Sequence, residues 1–177
     1  DAMIYFCREI FPLIRAHAPD TKLVIVGSNP PPSVLDLGEI PGIQVTGFVP
    51  DIRPAMAASA VYIVPLRLGV GIRGKILEAW SMARAVVATS IACAGLRYEA
   101  GKNLLVADDA ALFARHVVSL LRDPVQRASL GNEGRKTAER HYGWETAAHE
   151  LDSLYQHYLG TLQKESLLSV AGERSRA

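Results

Sequence analysis

Apolar residues along this chain recur at two periods, and the alternation between them sets the expected fold. In "DAMIYFCREIFPLIRAH", Ile4, Cys7, Ile10, Phe11 and Ile14 fall three and four residues apart, predicting an amphipathic helix from about Ala2 to Ala16. "TKLVIVGSN" follows as a continuous apolar run, a buried strand over Lys22–Val26 stopped by Gly27. Proline-rich "PPPSVLDLGEIPG" reads as a connection, and "IQVTGFV" as a second strand, Ile43–Val49. Asp51 is placed to cap a short helix in "IRPAMAAS". A third strand covers Ala60–Pro65, and the glycine-rich stretch "GVGIRGK" leads from it into a helix from about Arg73 to Ala83. "AVVATS" and, after a turn at "YEAGKN", "LLVAD" are the fourth and fifth strands. Helices are expected over Ala110–Arg122, Pro124–His141 and Trp144–Leu159, followed by a polar tail from Thr161 that should fray.

Strands that are uniformly apolar and alternate with helices belong to a parallel sheet covered on both faces. The expectation is therefore an α/β fold, with any ligand beyond the carboxyl ends of the strands. The glycine loop leaves the carboxyl end of the third strand and so stands in that place. The chain opens directly inside an amphipathic pattern, which reads as a piece of something longer.

Composition narrows the chemistry. At 177 residues and 49% hydrophobic, the chain can build one domain with a real core. A formal net charge of +1 provides no global field toward nucleic acid or membrane. Two cysteines, Cys7 and Cys93, make no disulfide framework and fit a reducing cytoplasm. His17, His116, His141, His149 and His157 lack partner cysteines or a metal-binding spacing, and there is neither a secretory signal nor a long uncharged apolar run.

"GVGIRGK" matches two phosphate motifs literally, and both fail on context. A dinucleotide fingerprint wants an acidic residue about 20 positions on, at the end of the next strand. Here that strand ends in Thr89, Ser90 and Ile91, and the nearest acid is Glu99. A P-loop needs Ser or Thr after its lysine to reach Mg²⁺, and Ile76 follows Lys75. Asp108, which mimics the second P-loop motif, reads instead with Asp109 as a cap for the helix at Ala110.

The physics common to both motifs remains. At about 100° per residue, Gly71, Gly74, Lys75 and Glu78 share one helix face, while Ile72, Ile76, Leu77, Ala79, Trp80 and Ala83 point away. A helix start offers unpaired N–H groups and positive potential, and glycines there leave the backbone open to a ligand. Arg73 and Lys75 add charge, so a phosphate is the natural anion. Glu78, one turn in, can accept hydrogen bonds from two vicinal hydroxyls such as a ribose presents. The competing reading is a tight strand–helix turn followed by a solvated Lys75–Glu78 pair.

The stretch "VPLRLGVGIRGKILEAWSMARAVVATSIACAGL" resembles the signature region of glycosyltransferase family 4, or group 1. Trp80 and Ser81 replace the family's usual Met-Ala, and Arg84-Ala85 its Gly-Pro. "LVIVGSNP", "VTGFVPDIRPAMAASAVYIVPL" and "NLLVADDAALFARHVVSLLRDPVQRASLGNEGRKTAERHYGW" match flanking family blocks in order, so the resemblance covers roughly Asp1 to Tyr158.

The resemblance implies a Rossmann-like doubly wound parallel sheet, the C-terminal half of a GT-B fold without its first strand. It implies residues 1–160 as a nucleotide-sugar-binding domain and 161–177 as a tail. The activity implied is a retaining hexosyltransferase, in which this half binds a nucleoside-diphosphate sugar and the missing half binds a glycan or lipid-linked acceptor. No cofactor or bound metal is implied, the donor being a substrate, and this half alone would transfer no sugar. Carried over by position, Glu78 would hold the ribose. Gly71, Ile72 and Arg73 would face the phosphates and sugar, Phe48 and Val49 would lie beside the base, and Gly27 would border the nucleotide. Gly74 completes the open helix start. Val70 stands where the family's first motif glutamate usually sits, as in a branch reading "PLR-x-G-x-G-x-R-x-K-x-LEA". Arg67, Arg73 and Lys75 should then carry more of the phosphate charge, with Arg73 and Lys75 the electrostatic catalysts. The implied location is the cytoplasm, with room for peripheral association of the full-length protein at the inner membrane face. The alternatives are another GT-B-like nucleotide-sugar enzyme such as an epimerase, and a non-catalytic nucleotide-binding domain.

Overall fold

The computed structural model describes residues 1–69, 71 and 74–174, with side chains through residue 159. It resolves into two compact units, Asp1–Glu139 and Arg140–Ala177. In the first, five strands are all parallel: β1 (Leu23–Val26) pairs with β2 (Ile43–Gly47), and β3 (Tyr62–Val64) with β4 (Val86–Ala88), which pairs with β5 (Leu105–Val106). They form a pair and a triplet rather than one sheet.

Each strand is shorter than its apolar run because regular pairing stops before the apolar residues do. β2, for instance, ends at Gly47, whose φ of 70° turns the chain out of the sheet. The N-terminal helix is interrupted as well as amphipathic. α1 (Ala2–Tyr5) passes into a π-helical turn (Phe6–Ile10) before α2 (Phe11–His17). Pro12 explains the irregular turn, since it lacks an N–H and its ring crowds the carbonyl four residues back. Phe6, Cys7, Ile10, Phe11 and Ile14 nonetheless all reach the core. There they join Val87 and Phe113, with the Phe6 and Phe113 rings edge-on at 5.8 Å.

The connections are short helices: α3 (Pro32–Leu35), a 3₁₀ turn (Asp36–Glu39), α4 (Arg53–Ala58), α5 (Gly74–Ser81) and α6 (Ser90–Cys93). Asp51 accepts the Arg53 N–H at 2.9 Å and also binds its guanidinium, which holds the Asp51 carboxyl below its ordinary pKa. α7 (Ala110–Arg122) is capped by Asp109, which accepts from Leu112 N at 2.9 Å. Asp108 faces elsewhere and accepts the Ser90 N–H at 2.8 Å.

α5 is locked from beneath. Trp80 is 0% exposed and its indole N–H donates to the Asn103 carbonyl at 3.0 Å. α8 (Pro124–Tyr142) crosses it with Gly131 and Gly134 at the contact. A Cβ on Gly134 would lie 2.9 Å from Trp80 Cγ, and one on Gly131 would overlap the carbonyl of Ala83. Asn103 extends the joint by donating to Thr137 Oγ1 at 3.1 Å. α5 then ends in a Schellman motif, with Arg84 N–H bonding Ala79 O at 2.9 Å and Ala83 N–H bonding Trp80 O at 2.8 Å. The left-handed residue of that motif is Ala83, at φ 52°, where glycine is usual.

The second unit contains α9 (Trp144–Arg174), which continues beyond the expected end at Leu159. Residues 161–174 contain no proline, and half of them are Leu, Gln, Lys or Glu, all good helix formers. Among the described residues no helix is long and apolar enough to cross a membrane.

Gly134→Ala should destabilise the first unit by about 1–3 kcal/mol through overpacking against Trp80, measured by urea denaturation. Ala83→Gly should do the opposite by about 0.5–1 kcal/mol, the left-handed penalty of ~1–2 kcal/mol less the entropy glycine adds to the unfolded chain. Burial raises both thiols to about 11 from 9.0. Cys7 and Cys93 should therefore resist Ellman's reagent at pH 8 until the chain unfolds. Their contribution to stability is intact below 9.0 and falls as pH rises toward 11, because the unfolded thiols lose their protons first.

Candidate functional site

Because the strands of each sheet are parallel, their βα loops leave from one edge, and the residues singled out in the sequence lie in those loops. Gly27 follows β1 and its N–H donates to Gly47 O at 3.3 Å, joining the loops after β1 and β2. A Cβ would meet nothing within 4 Å at either glycine; Gly27 is exposed and Gly47 half-buried. Phe48 comes next, 73% exposed, an unusual position for a phenylalanine unless something covers its ring. Val49 beside it is half-buried.

The start of α5 presents the face the helix wheel predicted. Gly74, Lys75 and Glu78 are exposed, while Ile76, Ala79 and Trp80 are completely buried. Gly71 has a φ of 83°, which favours glycine, and a Cβ on Gly71 or Gly74 would meet nothing within 4 Å. The first N–H groups of a helix have no partner within it, and a glycine start leaves the backbone reachable by an anion.

No ion pair joins Lys75 to Glu78. The same i,i+3 spacing elsewhere does close, with Lys102 on Glu99 at 2.9 Å and Lys136 on Glu133 at 2.7 Å. In both of those pairs the glutamate precedes the lysine, the favoured order, whereas Lys75 precedes Glu78, so the open pair fits a solvated face as well as a ligand site. Glu78 instead lies near Tyr62 on β3, a residue that sequence reasoning passed over. Burial first, and the Glu78 charge second, raise the Tyr62 phenol above its ordinary pKa. Tyr62 thus stays protonated and able to donate a hydrogen bond.

Arg67 occupies the loop after β3 and is already engaged. Its Nε donates to Asp1 Oδ2 at 3.0 Å, its Nη2 to Asp1 Oδ1, and its guanidinium lies 4.4 Å from the centre of the Tyr5 ring. Ile72, Arg73 and Val70 fall outside the described residues.

A polar chain links the next loops. Thr89, just beyond β4 and 4% exposed, donates its hydroxyl to Leu66 O at 2.5 Å and accepts from Ala92 N at 3.2 Å. Ser90 N–H goes on to Asp108 after β5. The loops after β3, β4 and β5 are therefore fastened together. Nothing in the sequence distinguished Thr89 from an ordinary strand end, because its partner is 23 residues away.

Known proteins agree with this architecture. The chain is 27% identical over 160 residues to the GDP-mannose-dependent monoacylated alpha-(1-6)-phosphatidylinositol monomannoside mannosyltransferase of Corynebacterium glutamicum, covering 84% of this chain and 42% of that protein. Among solved structures it resembles Anabaena Alr3699/HepE in complex with UDP, with a TM-score of 0.69 at 19% identity over 82% of this chain and 44% of that one. It also resembles the isolated C-terminal domain of the group 1 glycosyl transferase LpcC from Francisella tularensis, with a TM-score of 0.60 at 19% identity over 75% of this chain and 77% of that one. The chain thus spans about two fifths of the two longer proteins and most of the C-terminal domain. At these identities the solved structures establish the fold: an α/β domain of parallel sheets like the C-terminal half of GT-B enzymes. The sequence itself fits the family model "Glycosyl transferases group 1" over residues 1–123, and this chain belongs to that family.

Proposed function

We propose that this chain is the donor-binding half of a retaining glycosyltransferase that moves a hexose from a nucleoside-diphosphate sugar to a glycan or lipid-linked acceptor. The carrying observation is the α5 face: an open glycine start, then Lys75 and Glu78 exposed and unpaired with each other, at the carboxyl edge of a parallel sheet. An anion fits the helix start, and a diol fits the carboxylate one turn along. A nucleoside diphosphate presents both, in that order. Two similar proteins carry matching words in their names, GDP-mannose in one and UDP in the other.

In this reading residues 1–160 form the nucleotide-sugar domain and 161–177 a tail. Gly71, Ile72, Gly74 and the α5 N–H groups receive the diphosphate, while Glu78 takes the ribose hydroxyls. Gly27, Phe48 and Val49 border the base, and Phe48 offers the apolar ring that a base would cover. Catalysis is electrostatic. As the glycosidic bond breaks, negative charge grows on the departing diphosphate, and the helix start with Arg73 and Lys75 stabilises it. Arg67 adds charge at the edge of this site. The acceptor is held by a separate half of the enzyme, so this chain alone binds nucleotide and transfers no sugar. The complete protein works in the cytoplasm, where such donors are made, and meets lipid-linked acceptors at the inner membrane face.

Calorimetric titration of the chain with UDP-, GDP- and ADP-sugars tests the assignment. One nucleotide should bind, and Glu78→Ala should weaken it about tenfold or more, the loss of at least ~1.4 kcal/mol of charge-assisted hydrogen bonding. Binding indifferent to Glu78→Ala would remove the carboxylate from the site, and no binding of any of the three would sink the reading.

A further inference from the structure

Two buried polar side chains stand out in the first unit, Thr89 and Asn103. Asn103 serves the packing of α5, through its carbonyl to Trp80 and its amide to Thr137. Thr89 is the N-cap of α6, where its hydroxyl accepts the Ala92 N–H, and the same hydroxyl also donates back to Leu66 O. The cap accounts for the acceptor and leaves the donor to be explained. A hydroxyl in a buried place is costly unless bonded, and here both its capacities are used: it donates to Leu66 O and accepts from Ala92 N.

Leu66 is the first residue past Pro65, which is fully buried and has no N–H to anchor it. Beyond Leu66 come Gly69 at φ 135° and Gly71 at φ 83°, which give the loop latitude. Among the described residues that follow, Arg67, Leu68, Gly69 and Gly71 are exposed and Ile76 in α5 is the first to be buried. The Thr89 hydroxyl therefore acts just before that exposed stretch. Through the adjacent Ser90–Asp108 bond the same short segment is fixed to the end of β5, so the anchor does not drift with the loop.

We propose that Thr89 is a positioning residue for the anion loop, holding Leu66 so that Arg67, Leu68, Gly69 and Gly71 approach the α5 start in a binding geometry. Its importance for ligand rests on the nucleotide reading above; its hold on the loop does not. The test compares the chain with Thr89→Val and Thr89→Ser by nitrogen-15 relaxation and by nucleotide titration. In Thr89→Val the order parameters of Arg67, Leu68, Gly69 and Gly71 should drop while those of α7 stay unchanged, and nucleotide affinity should fall about tenfold. Thr89→Ser, which keeps the hydroxyl, should restore both to within about twofold.

Unchanged loop order in Thr89→Val, a loss spread equally over α7, or failure of Thr89→Ser to restore the loop would each overturn the proposal. If the unmutated chain binds no nucleotide, the functional reading fails while the order parameters still judge Thr89. If Thr89→Val does not fold, the hydroxyl proton of the unmutated chain decides. It should be seen exchanging slowly and close to Leu66, and its absence counts against the bond.

Discussion

Trp80 determines which way α5 faces, and every feature of the candidate site depends on that orientation. Burying an indole removes about 150–250 Å² from water, worth roughly 4–6 kcal/mol as an upper bound. The one polar atom of that ring is bonded to Asn103 O. Turning α5 by a single residue would expose the ring and push charged side chains toward the core. Gly131 and Gly134 make this orientation possible, since any side chain there would occupy the volume of Trp80 or Ala83. The outward display of Lys75 and Glu78 thus follows from packing on the opposite side of the helix. Their lack of mutual pairing leaves both free to meet a ligand.

A second constraint is the parallel direction of the strands, which sends the successive loops of each sheet to that sheet's carboxyl edge. Proximity alone does not make a site from loops rich in glycine and proline. Here the loops are fastened at separate points: Gly27 to Gly47, Leu66 to Thr89, Ser90 to Asp108. Each fastening satisfies a backbone group near a strand end, where the ladder no longer can. The loops are consequently held within each sheet even though the five strands form a pair and a triplet rather than one continuous sheet.

How much of this was legible in the sequence follows the range of the interactions. The apolar runs of β1 to β5 and the wheel of α5 are local patterns, and each appeared where the pattern put it. The start of α5 was readable for the same reason, since Gly71, Gly74, Lys75 and Glu78 lie within two turns. What stayed hidden is non-local or departs from local preference. The use of Gly131 and Gly134 depends on Trp80, some fifty residues earlier. Ala83 in a left-handed turn contradicts its own propensity and is imposed by the Schellman bonds around it. Tyr62 near Glu78 required the packing of α5 on β3, and a strand tyrosine carries no mark of that neighbour. The first helix was expected to run unbroken through Pro12, and the π-helical turn before that proline became evident only in the structure.

Arg67 shows why the charge of a residue does not by itself state its role. Sequence reasoning grouped it with Arg73 and Lys75 as a phosphate cation, and the structure finds it on Asp1 and Tyr5. The magnitudes reconcile these positions. Both members of the Asp1 pair are about half exposed, so their bond is worth about 0–1 kcal/mol, and an exposed cation–π contact adds about 0.5–1 kcal/mol. A hydrogen bond to a phosphate oxygen is charge-assisted, worth about 1.5–3 kcal/mol, and the planar guanidinium can make two. The Asp1–Tyr5 contact is therefore weak enough to yield to a diphosphate and strong enough to keep the guanidinium from ranging through solvent. It lowers the entropy lost on binding without neutralising the loop, because the glycine start of α5 keeps its own positive potential. A cation held loosely beside a helix start that has its own positive potential gives the loop two independent sources of attraction for an anion, and only one of them has to move.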